Sequence, residues 1–125
     1  MIYGIGIDLV ENDRIEKIIQ KWGEKFLSRV FSDREICYCG RHAQSFIHYG
    51  ARFAVKESFL KAIGMGLGRG VKLLEIEVVN NKSGKPEINL SGGAREFLVK
   101  AGIAKIHLSI THTENYSSAM VLLEK

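Results

Sequence analysis

The segment from Arg52 to Gly68 constrains the fold most, because it places several charges inside an apolar helical pattern. On a 3.6-residue wheel its apolar residues cover more than half of the circumference, so we expect a largely buried helix. These residues are Phe53, Ala54, Val55, Phe59, Leu60, Ala62 and Ile63. The same helix carries Arg52, Lys56, Glu57 and Lys61. A buried charge requires a partner, a metal ion or a charged ligand, because its desolvation must be offset.

Two interpretations of this helix remain open from the segment alone. Glu57 and Lys61 lie four residues apart, so they share a face and could form a surface ion pair. Glycines at 64, 66, 68 and 70 end the helix and leave backbone N–H groups able to approach an anion. The segment is therefore either a carboxylate and an ammonium beside an anion-binding loop, suited to phosphate chemistry, or a core helix with a C-terminal glycine loop.

Length and composition predict one globular domain over residues 1–125. A chain of this length can bury roughly two-thirds of its unfolded surface. A hydrophobic content of 46% and a charged content of 26% exclude disorder and a coiled coil. The net charge of +4 indicates an anionic partner, which could be nucleic acid, a nucleotide or an acidic protein.

The cysteines indicate a reducing compartment. Only Tyr38 separates Cys37 from Cys39, so they are poorly placed for a disulfide, and the chain has no other cysteine. Cys37, Cys39 and His42 do not match the ligand spacing of zinc sites. No apolar run is long enough to cross a bilayer and no basic leader precedes the first apolar residues, so we expect a soluble, cytoplasmic protein.

Residues 1–10 predict a strand with two different faces. Ile5, Ile7 and Leu9 share one face, and Asp8 shares the other with two glycines, Gly4 and Gly6. Glycine permits the close approach of a ligand or another backbone, which would set Asp8 at the edge of a small open space. Alternatively, Asp8 only caps the following turn.

A helix follows, with Asp13 as its predicted N-cap and Glu16 completing a capping box. Its predicted apolar face consists of Ile15, Ile18, Ile19 and Trp22. Basic residues recur every three or four positions and form one stripe if the helix persists: Arg14, Lys17, Lys21 and Lys25. Since Glu16 and Glu24 lie away from it, the stripe presents unmixed positive charge, which either binds an acidic partner or is a solvated face.

The remaining pattern predicts an α+β fold in which antiparallel strands pack against helices. Ser32 and Glu35 open a helix that runs towards Gln44, and Gly50 precedes the central helix. The other predicted elements are a hairpin of strands 74–79 and 87–90, a short helix between Ser91 and Gly102, and strands 105–111 and 117–123.

Two groups of residues indicate phosphate chemistry. Ser109, Thr111 and Thr113 surround His112 at the end of a strand, where hydroxyl groups and an imidazole suit a phosphate or a ribose. Asp8 and Glu57, with Lys61 one turn further, make a plausible magnesium and phosphate set, because Mg²⁺ is held by one or two carboxylates plus substrate phosphates.

Three blocks resemble the signature segments of the bacterial holo-acyl-carrier-protein synthases, the small 4'-phosphopantetheinyl transferases. They are G-I-G-I-D-L-V-E-N-D-R-I from Gly4, F-A-V-K-E-S-F-L-K-A-I-G-M-G-L-G from Phe53 and H-L-S-I-T-H-T from His107. The G-K-P from Gly84 to Pro86 also resembles the family. Met65, Asn12 and Asp13 depart from its usual pattern.

The resemblance implies Mg²⁺-dependent transfer of phosphopantetheine from coenzyme A to a serine of apo acyl carrier protein. Adenosine 3',5'-bisphosphate is released, and the reaction supports fatty acid biosynthesis. The resemblance also implies a homotrimer with active sites between subunits.

The same resemblance assigns roles to individual residues. Asp8 and Glu57 would bind the metal, and Glu57 would act as the base, directly or through a metal-bound water. Lys61 would stabilise the leaving bisphosphate. Coenzyme A contacts are predicted at Arg52, Lys61, Gly64, Thr111 and His112. Arg14 matches the carrier-protein contact, which we extend along the basic stripe to Lys17, Lys21 and Lys25.

Two other classes of function use some of the same features. A nucleic-acid-binding module would use the basic stripe, although no aromatic residues for base stacking are interleaved with it. A metal-dependent phosphohydrolase would use the same carboxylates with water as the nucleophile. We expect no nucleic acid and no membrane among the partners.

Overall fold

The computed structural model describes residues 1–64 and 70–125. In chain order its elements are β1 (Ile2–Glu11), α1 (Asn12–Trp22), α2 (Glu24–Val30), α3 (Asp33–Gly40), α4 (Ser45–Ile63), β2 (Ile76–Asn80), β3 (Pro86–Leu90), α5 (Gly92–Ala101), β4 (Lys105–His112) and β5 (Tyr116–Glu124).

The strands form two antiparallel sheets. One is three-stranded with the order β1-β5-β4, and the other is the β2-β3 hairpin. The central helix α4 packs against β1 and β5, so the core lies between this helix and the three-stranded sheet. The predicted α+β class is confirmed. Within the described residues, no helix is both long enough and apolar enough to cross a membrane.

The predicted burial of the central helix is confirmed, but its predicted start is wrong. The helix begins at Ser45, and Gly50 lies inside it. A Cβ at Gly50 would overlap Oδ1 of Asn12, so this glycine permits close packing of α1 on α4 and does not mark a break. Tertiary packing therefore overrides the low helix propensity of glycine at this position.

The glycine-bearing face of β1 is in contact with the backbone of α4. A Cβ at Gly4 would overlap the carbonyl oxygen of Ala62, and a Cβ at Gly6 would overlap that of Ser58. The close approach that these glycines predicted is thus made by another backbone. It brings Asp8, the next residue on this face, beside the charged residues of α4.

The first helix differs from its prediction at both ends. It begins at Asn12 and not after Asp13, because Asn12 is buried and its Nδ2 donates to the carbonyl oxygens of Thr113 and Glu114. Asp13 lies in the first turn and does not cap the helix. The helix ends at Trp22, which is 53% exposed and so lies outside the buried face predicted for it. Gly23 has φ 54°, and the chain changes direction there before α2 begins.

The predicted capping box of α3 is confirmed. The Ser32 N–H donates to Glu35 Oε1 at 2.9 Å, and the Glu35 N–H donates to Ser32 Oγ at 3.3 Å. The helix ends at Gly40, earlier than expected. Glu35 also accepts a hydrogen bond from Nζ of Lys56 at 2.9 Å, and both side chains are inaccessible to solvent. The charge buried on α4 at Lys56 therefore has a protein partner.

The C-terminal half follows its predicted order with two differences. Residues Leu73–Glu75 form a 3₁₀ turn, so β2 starts only at Ile76. The Ser91 hydroxyl does not cap α5; instead the Glu75 carboxylate accepts from the Gly93 N–H at 3.0 Å. Burial raises the pKa of Glu75, but hydrogen bonds from backbone N–H groups outweigh it and leave that pKa below its usual value.

Candidate active site

Asp8 and Lys61 are in direct contact where β1 crosses α4. Lys61 Nζ lies 3.0 Å from Asp8 Oδ1 and donates to the Ile7 carbonyl oxygen at 3.0 Å. The Asp8 side chain is only 16% exposed, whereas that of Lys61 is 54% exposed. The alternative of a surface ion pair between Glu57 and Lys61 is wrong for the described residues, because β1 supplies a closer carboxylate than the helix does.

Asp8 and Glu57 line the same cavity, which has a volume of ≈ 310 Å³. Burial raises the pKa of Glu57, the Asp8 carboxylate raises it further, and the Lys61 ammonium opposes both effects. Two carboxylates that repel each other across a partly open cavity can hold a hard divalent cation. The structure therefore brings together the two acids that the sequence selected from distant segments.

The protein by itself does not complete a metal site. Among the described residues, no group of three or more His, Cys, Asp or Glu side chains is arranged to hold an ion. A cation between Asp8 and Glu57 would take its other ligands from water or phosphate, as Mg²⁺ commonly does. The Cys37, Cys39 and His42 set is not supported either, since Cys37 is exposed and Cys39 is buried.

Arg52 is buried one turn before Lys56, and it is only 5% exposed. Its guanidinium carbon lies 4.0 Å from the centroid of the Tyr38 ring, and its Nη2 donates to Asn80 Oδ1 at 3.1 Å. Asn80 Nδ2 in turn donates to the Gly84 carbonyl oxygen at 3.2 Å. Among the described residues, Nε of Arg52 has no hydrogen-bond partner. Arg52 is thus fixed in position with N–H donors remaining for a ligand.

Sequence analysis missed Tyr38 and Asn80, although Asn80 precedes the G-K-P turn that the family resemblance had singled out. It also missed His48, which lies on α4 with its ring centroid 6.0 Å from that of His112. His112 and Thr111 end β4 and are exposed. No spacing in the sequence links His48 to them, because the contact joins α4 to a strand more than sixty residues later.

Gly64 ends α4 with φ 73°, as predicted. Gly66 and Gly68 of the predicted anion-binding loop lie outside the described residues, whereas Gly70 is described and has φ 86°.

The basic stripe is only partly as predicted. Arg14 lines the cavity that contains Asp8 and Glu57. Lys17 Nζ lies 2.9 Å from Asp13 Oδ2, and this carboxylate raises the pKa of Lys17, so the prediction of unmixed positive charge is wrong. Lys21 remains on α1, with its Nζ 5.2 Å from the centroid of the Trp22 ring. Lys25 lies on α2 because Gly23 interrupts the helix.

The carboxylate pair, the adjacent lysine and the buried arginine are groups of the kinds that enzymes of phosphoryl transfer use. The chain matches the family model described as the 4'-phosphopantetheinyl transferase superfamily over residues 4–121. It therefore belongs to that superfamily, and it is an enzyme.

Relatives and solved structures agree with this assignment. The chain is 52% identical, over 99% of its length and 97% of the relative, to a protein named holo-[acyl-carrier-protein] synthase from Syntrophus aciditrophicus. The structure of the synthase of that name from Neisseria meningitidis superposes with a TM-score of 0.92, at 33% identity and full coverage of both chains. The Helicobacter pylori synthase in complex with coenzyme A matches with a TM-score of 0.85 at 32% identity, covering 96% of this chain and 99% of that one.

Proposed function

We propose that this protein transfers the 4'-phosphopantetheine group of coenzyme A to a serine of apo acyl carrier protein in a Mg²⁺-dependent reaction. Adenosine 3',5'-bisphosphate is the second product, and the modified carrier serves fatty acid biosynthesis. Support comes from the names of the relatives, from the Helicobacter pylori synthase in complex with coenzyme A and from the Bacillus anthracis synthase in complex with CoA (3',5'-ADP).

The observation that carries the proposal is the meeting of Asp8 and Glu57 at one cavity, with Lys61 bound to the first of them. The pKa of Glu57 is raised by burial and by the neighbouring Asp8 carboxylate, and the Lys61 ammonium opposes both effects, so one ammonium faces two carboxylates. The carboxylate oxygens and the excess of negative charge fit Mg²⁺, which would be held by these two residues. When bound, Mg²⁺ supplies charge neutralisation at the pyrophosphate.

The carboxylate of Glu57 accepts the proton of the attacking serine. A raised pKa makes it a stronger base than an ordinary glutamate. The serine oxygen forms a bond to the phosphorus of the phosphopantetheine, and the bond from that phosphorus to the bridging oxygen breaks. The electron pair leaves with the bisphosphate.

Lys61 neutralises the charge that develops on the leaving bisphosphate. Its 3.0 Å contact with Asp8 places an ammonium at the edge of the carboxylate pair, and its exposed side chain can turn towards a phosphate. Arg52, Gly64, Thr111 and His112 bind coenzyme A in this proposal. Nε of Arg52 is a buried donor without a hydrogen-bond partner among the described residues.

Arg14 and Lys21 form the centre of the proposed carrier-binding surface. Arg14 is exposed and lies at the mouth of the cavity with Glu57, so a carrier bound there would have its serine beside the base. Lys17 and Lys25 extend this surface in the proposal, although Lys17 forms an ion pair with Asp13 and Lys25 lies on the next helix. Acidic carriers would associate with it in a salt-dependent manner.

We further propose that the protein is a homotrimer with active sites between subunits. The outer face of the three-stranded sheet exposes a run of large apolar side chains that a second copy would cover: Ile5, Ile7, Leu9 and Met120, which are 58%, 60%, 67% and 42% exposed. The number of subunits follows from the family resemblance. The mass of the protein in solution, measured by light scattering, tests it, and a monomeric mass would contradict the trimer. Residues 1–125 are proposed as one domain with a cytoplasmic location.

The transfer assay combines the protein with coenzyme A, MgCl₂ and apo acyl carrier protein, and the carrier is then weighed by mass spectrometry. A gain equal to phosphopantetheine supports the proposal, and a carrier whose acceptor serine is replaced by alanine must show none. Hydrolysed coenzyme A beside an unmodified carrier would instead support the phosphohydrolase. A protein that neither modifies the carrier nor consumes coenzyme A would contradict both enzymatic interpretations.

Two neutralising substitutions test the metal role. Asp8→Asn and Glu57→Gln preserve shape but remove charge, so we expect folding to persist and Mg²⁺-dependent transfer to fall by at least about a hundredfold. The matched control is Glu96→Gln, a change at an exposed glutamate on α5. Near-normal turnover by either of the first two variants would contradict the metal role.

Charge reversal tests the carrier-binding surface. Arg14→Glu with Lys21→Glu should raise the KM for the carrier, most at low ionic strength, and leave the affinity for coenzyme A unchanged. Lys100→Glu, at the end of α5, is the control for the change in net charge. If the double reversal leaves the KM for the carrier unchanged, these basic residues are solvated surface residues and do not bind the carrier.

A further inference from the structure

One asparagine, Asn12, joins the first turn of α1 to residues 113–115, the β4–β5 turn. Its Nδ2 donates to the carbonyl oxygens of Thr113 and Glu114, at 3.2 Å and 3.1 Å. Its backbone N–H donates to the carbonyl oxygen of Asn115 at 2.9 Å. Three successive carbonyl oxygens of the turn therefore accept hydrogen bonds from a single residue at the start of the helix.

The amide oxygen of Asn12 also has a partner. Ser117 Oγ donates to Asn12 Oδ1 at 2.7 Å, and both residues are fully buried. A Cβ at Gly50 would overlap this amide oxygen, so the glycine of α4 makes room for it. Since both the nitrogen and the oxygen of the amide group are hydrogen-bonded, the Asn12 side chain is held in one orientation.

The β4–β5 turn takes the place of a cap on α1. The first N–H groups of a helix have no acceptor within the helix, and a capping side chain commonly supplies one. The side chain of Glu11, the residue before the helix, makes no capping hydrogen bond, and the Asn12 N–H reaches Asn115 instead. The position of the first turn of α1, which includes Arg14, therefore depends on its contact with the β4–β5 turn.

Hydrogen bonds within the β4–β5 turn fix its shape. Thr113 Oγ1 accepts from the N–H groups of Asn115 and Tyr116, at 3.3 Å and 3.1 Å. The Thr113 N–H donates to the Tyr116 carbonyl oxygen at 2.8 Å. These N–H groups are thus used inside the turn, which leaves its carbonyl oxygens to accept from Asn12.

We propose that Asn12 is a positioning residue for the carrier. It fastens the start of α1 to the β4–β5 turn, and this contact holds Arg14 at the mouth of the cavity that Glu57 lines. The inference rests on the proposed function, in which Arg14 contacts the carrier. It adds a buried residue that touches neither substrate and acts only through the placement of the helix.

The coenzyme A contacts proposed on β4 do not depend on Asn12. Thr111 and His112 are paired with Ser118 and Ser117 of β5, so the antiparallel ladder holds their backbone. Loosening the start of α1 should therefore weaken the binding of the carrier and leave the binding of coenzyme A unchanged. A general loss of stability would not separate the two substrates in this way.

The test compares Asn12→Leu with Ser117→Ala. Leucine has nearly the shape of asparagine, but it removes both side-chain hydrogen bonds to the β4–β5 turn and the one from Ser117. Ser117→Ala is the matched control, because it removes a buried hydrogen bond and leaves both bonds to the turn in place. Thr113→Val loosens the turn from its own side at an exposed position, so it tests the same contact if Asn12→Leu does not fold.

Four quantities are measured for the parent and for each variant. They are the KM for the apo carrier, the kcat at saturating carrier, the Kd for coenzyme A by isothermal titration calorimetry and the midpoint of urea denaturation. Hydrogen exchange of the backbone amides of residues 12–15 reports directly on the first turn of α1.

We expect Asn12→Leu to raise the KM for the carrier on the order of tenfold, because about one residue of backbone must then be ordered when the carrier binds. The kcat and the Kd for coenzyme A should stay close to those of the parent. Thr113→Val should change the KM in the same direction, and in both variants the amides of the first turn should exchange faster. Ser117→Ala should lower the urea midpoint but keep the parent's KM.

An unchanged KM for the carrier in Asn12→Leu, or in Thr113→Val if the first variant does not fold, would overturn the inference. An equal rise of that KM in Ser117→Ala would also overturn it, because lost stability would then be the cause. The same holds for an equal loss of affinity for coenzyme A. All three results leave the proposed function intact if the parent modifies the carrier, whereas a parent that does not modify it overturns the proposed function and this inference together.

Discussion

The buried pair of Lys56 and Glu35 offers the sharpest test of what holds the fold together. Lys56 Nζ donates to Glu35 Oε1 at 2.9 Å, to the Leu73 carbonyl oxygen at 2.9 Å and to that of Ile76 at 2.6 Å. All three ammonium protons are therefore used, and they join α4 to α3 and to the entry of β2. Burial lowers the pKa of Lys56, although the Glu35 carboxylate opposes this effect.

We predict that Lys56→Met lowers the free energy of unfolding by about 3–5 kcal/mol. Methionine fills a similar volume but removes a hydrogen bond from each of two carbonyl oxygens, of which that of Leu73 still accepts from the Ile76 N–H. The Glu35 carboxylate would then keep only the N–H groups of Ser32 and Val78, at 2.9 Å and 3.1 Å. The loss would be a large share of the roughly 5–15 kcal/mol that stabilises a typical domain. Adding Glu35→Gln removes the buried carboxylate charge that has lost its partner, and it should restore part of the lost free energy of unfolding.

Urea denaturation followed by far-ultraviolet circular dichroism measures the effect as a lower midpoint at an unchanged m-value. Protein concentration must be equal in all samples, because assembly would shift the midpoint. Lys17→Met is the matched control, since Lys17 also pairs with an acid at 2.9 Å but its side chain is 72% exposed. A loss from Lys56→Met no larger than that control, or no recovery from the added Glu35→Gln, would refute this reasoning.

Two further predictions concern β1 and the carboxylate pair. Gly6→Ala should destabilise the protein by about 1–3 kcal/mol or more, because the new Cβ would overlap the backbone of α4 and lie 2.8 Å from the Ala62 nitrogen. Gly40→Ala, which meets nothing within 4 Å, should change the urea midpoint little, and equal effects would contradict the packing argument. Since burial and then Asp8 raise the pKa of Glu57, the folded protein gains a proton there before the unfolded chain does, and metal-free stability should rise as pH falls through that pKa. Asp8→Asn should move the carboxyl NMR titration midpoint of Glu57 to lower pH, and an unmoved midpoint would show that the two acids do not interact.

The sequence was most informative where a local pattern has one physical outcome. Alternation predicted the hairpins, and the Ser32–Glu35 capping box formed as expected. The predictions failed where a distant contact supplied the determining force. Asn12 is drawn into hydrogen bonds with Thr113 and Glu114, which displaces Asp13 from the cap, and no local signal contains that contact.

The prediction of one continuous basic stripe was wrong for a different reason. Four regularly spaced cations predicted one continuous face, but Gly23 adopts a positive φ and turns the chain after Trp22. Glycine permits such a turn without requiring it, so the sequence could not decide between a longer helix and two short ones. Lys25 therefore lies on α2 and not on α1, where the prediction had placed it.

The sequence alone determined the chemical types at the site, an acid on an early strand and an acid and a lysine on a buried helix, because their patterns are local. Only the tertiary structure decided the partners. Lys61 binds Asp8 and not Glu57, Lys56 binds Glu35, and His48 comes beside His112. The physical reason is that the glycine face of β1 lets its backbone contact α4, and the distances between side chains of different segments depend on how closely those backbones approach.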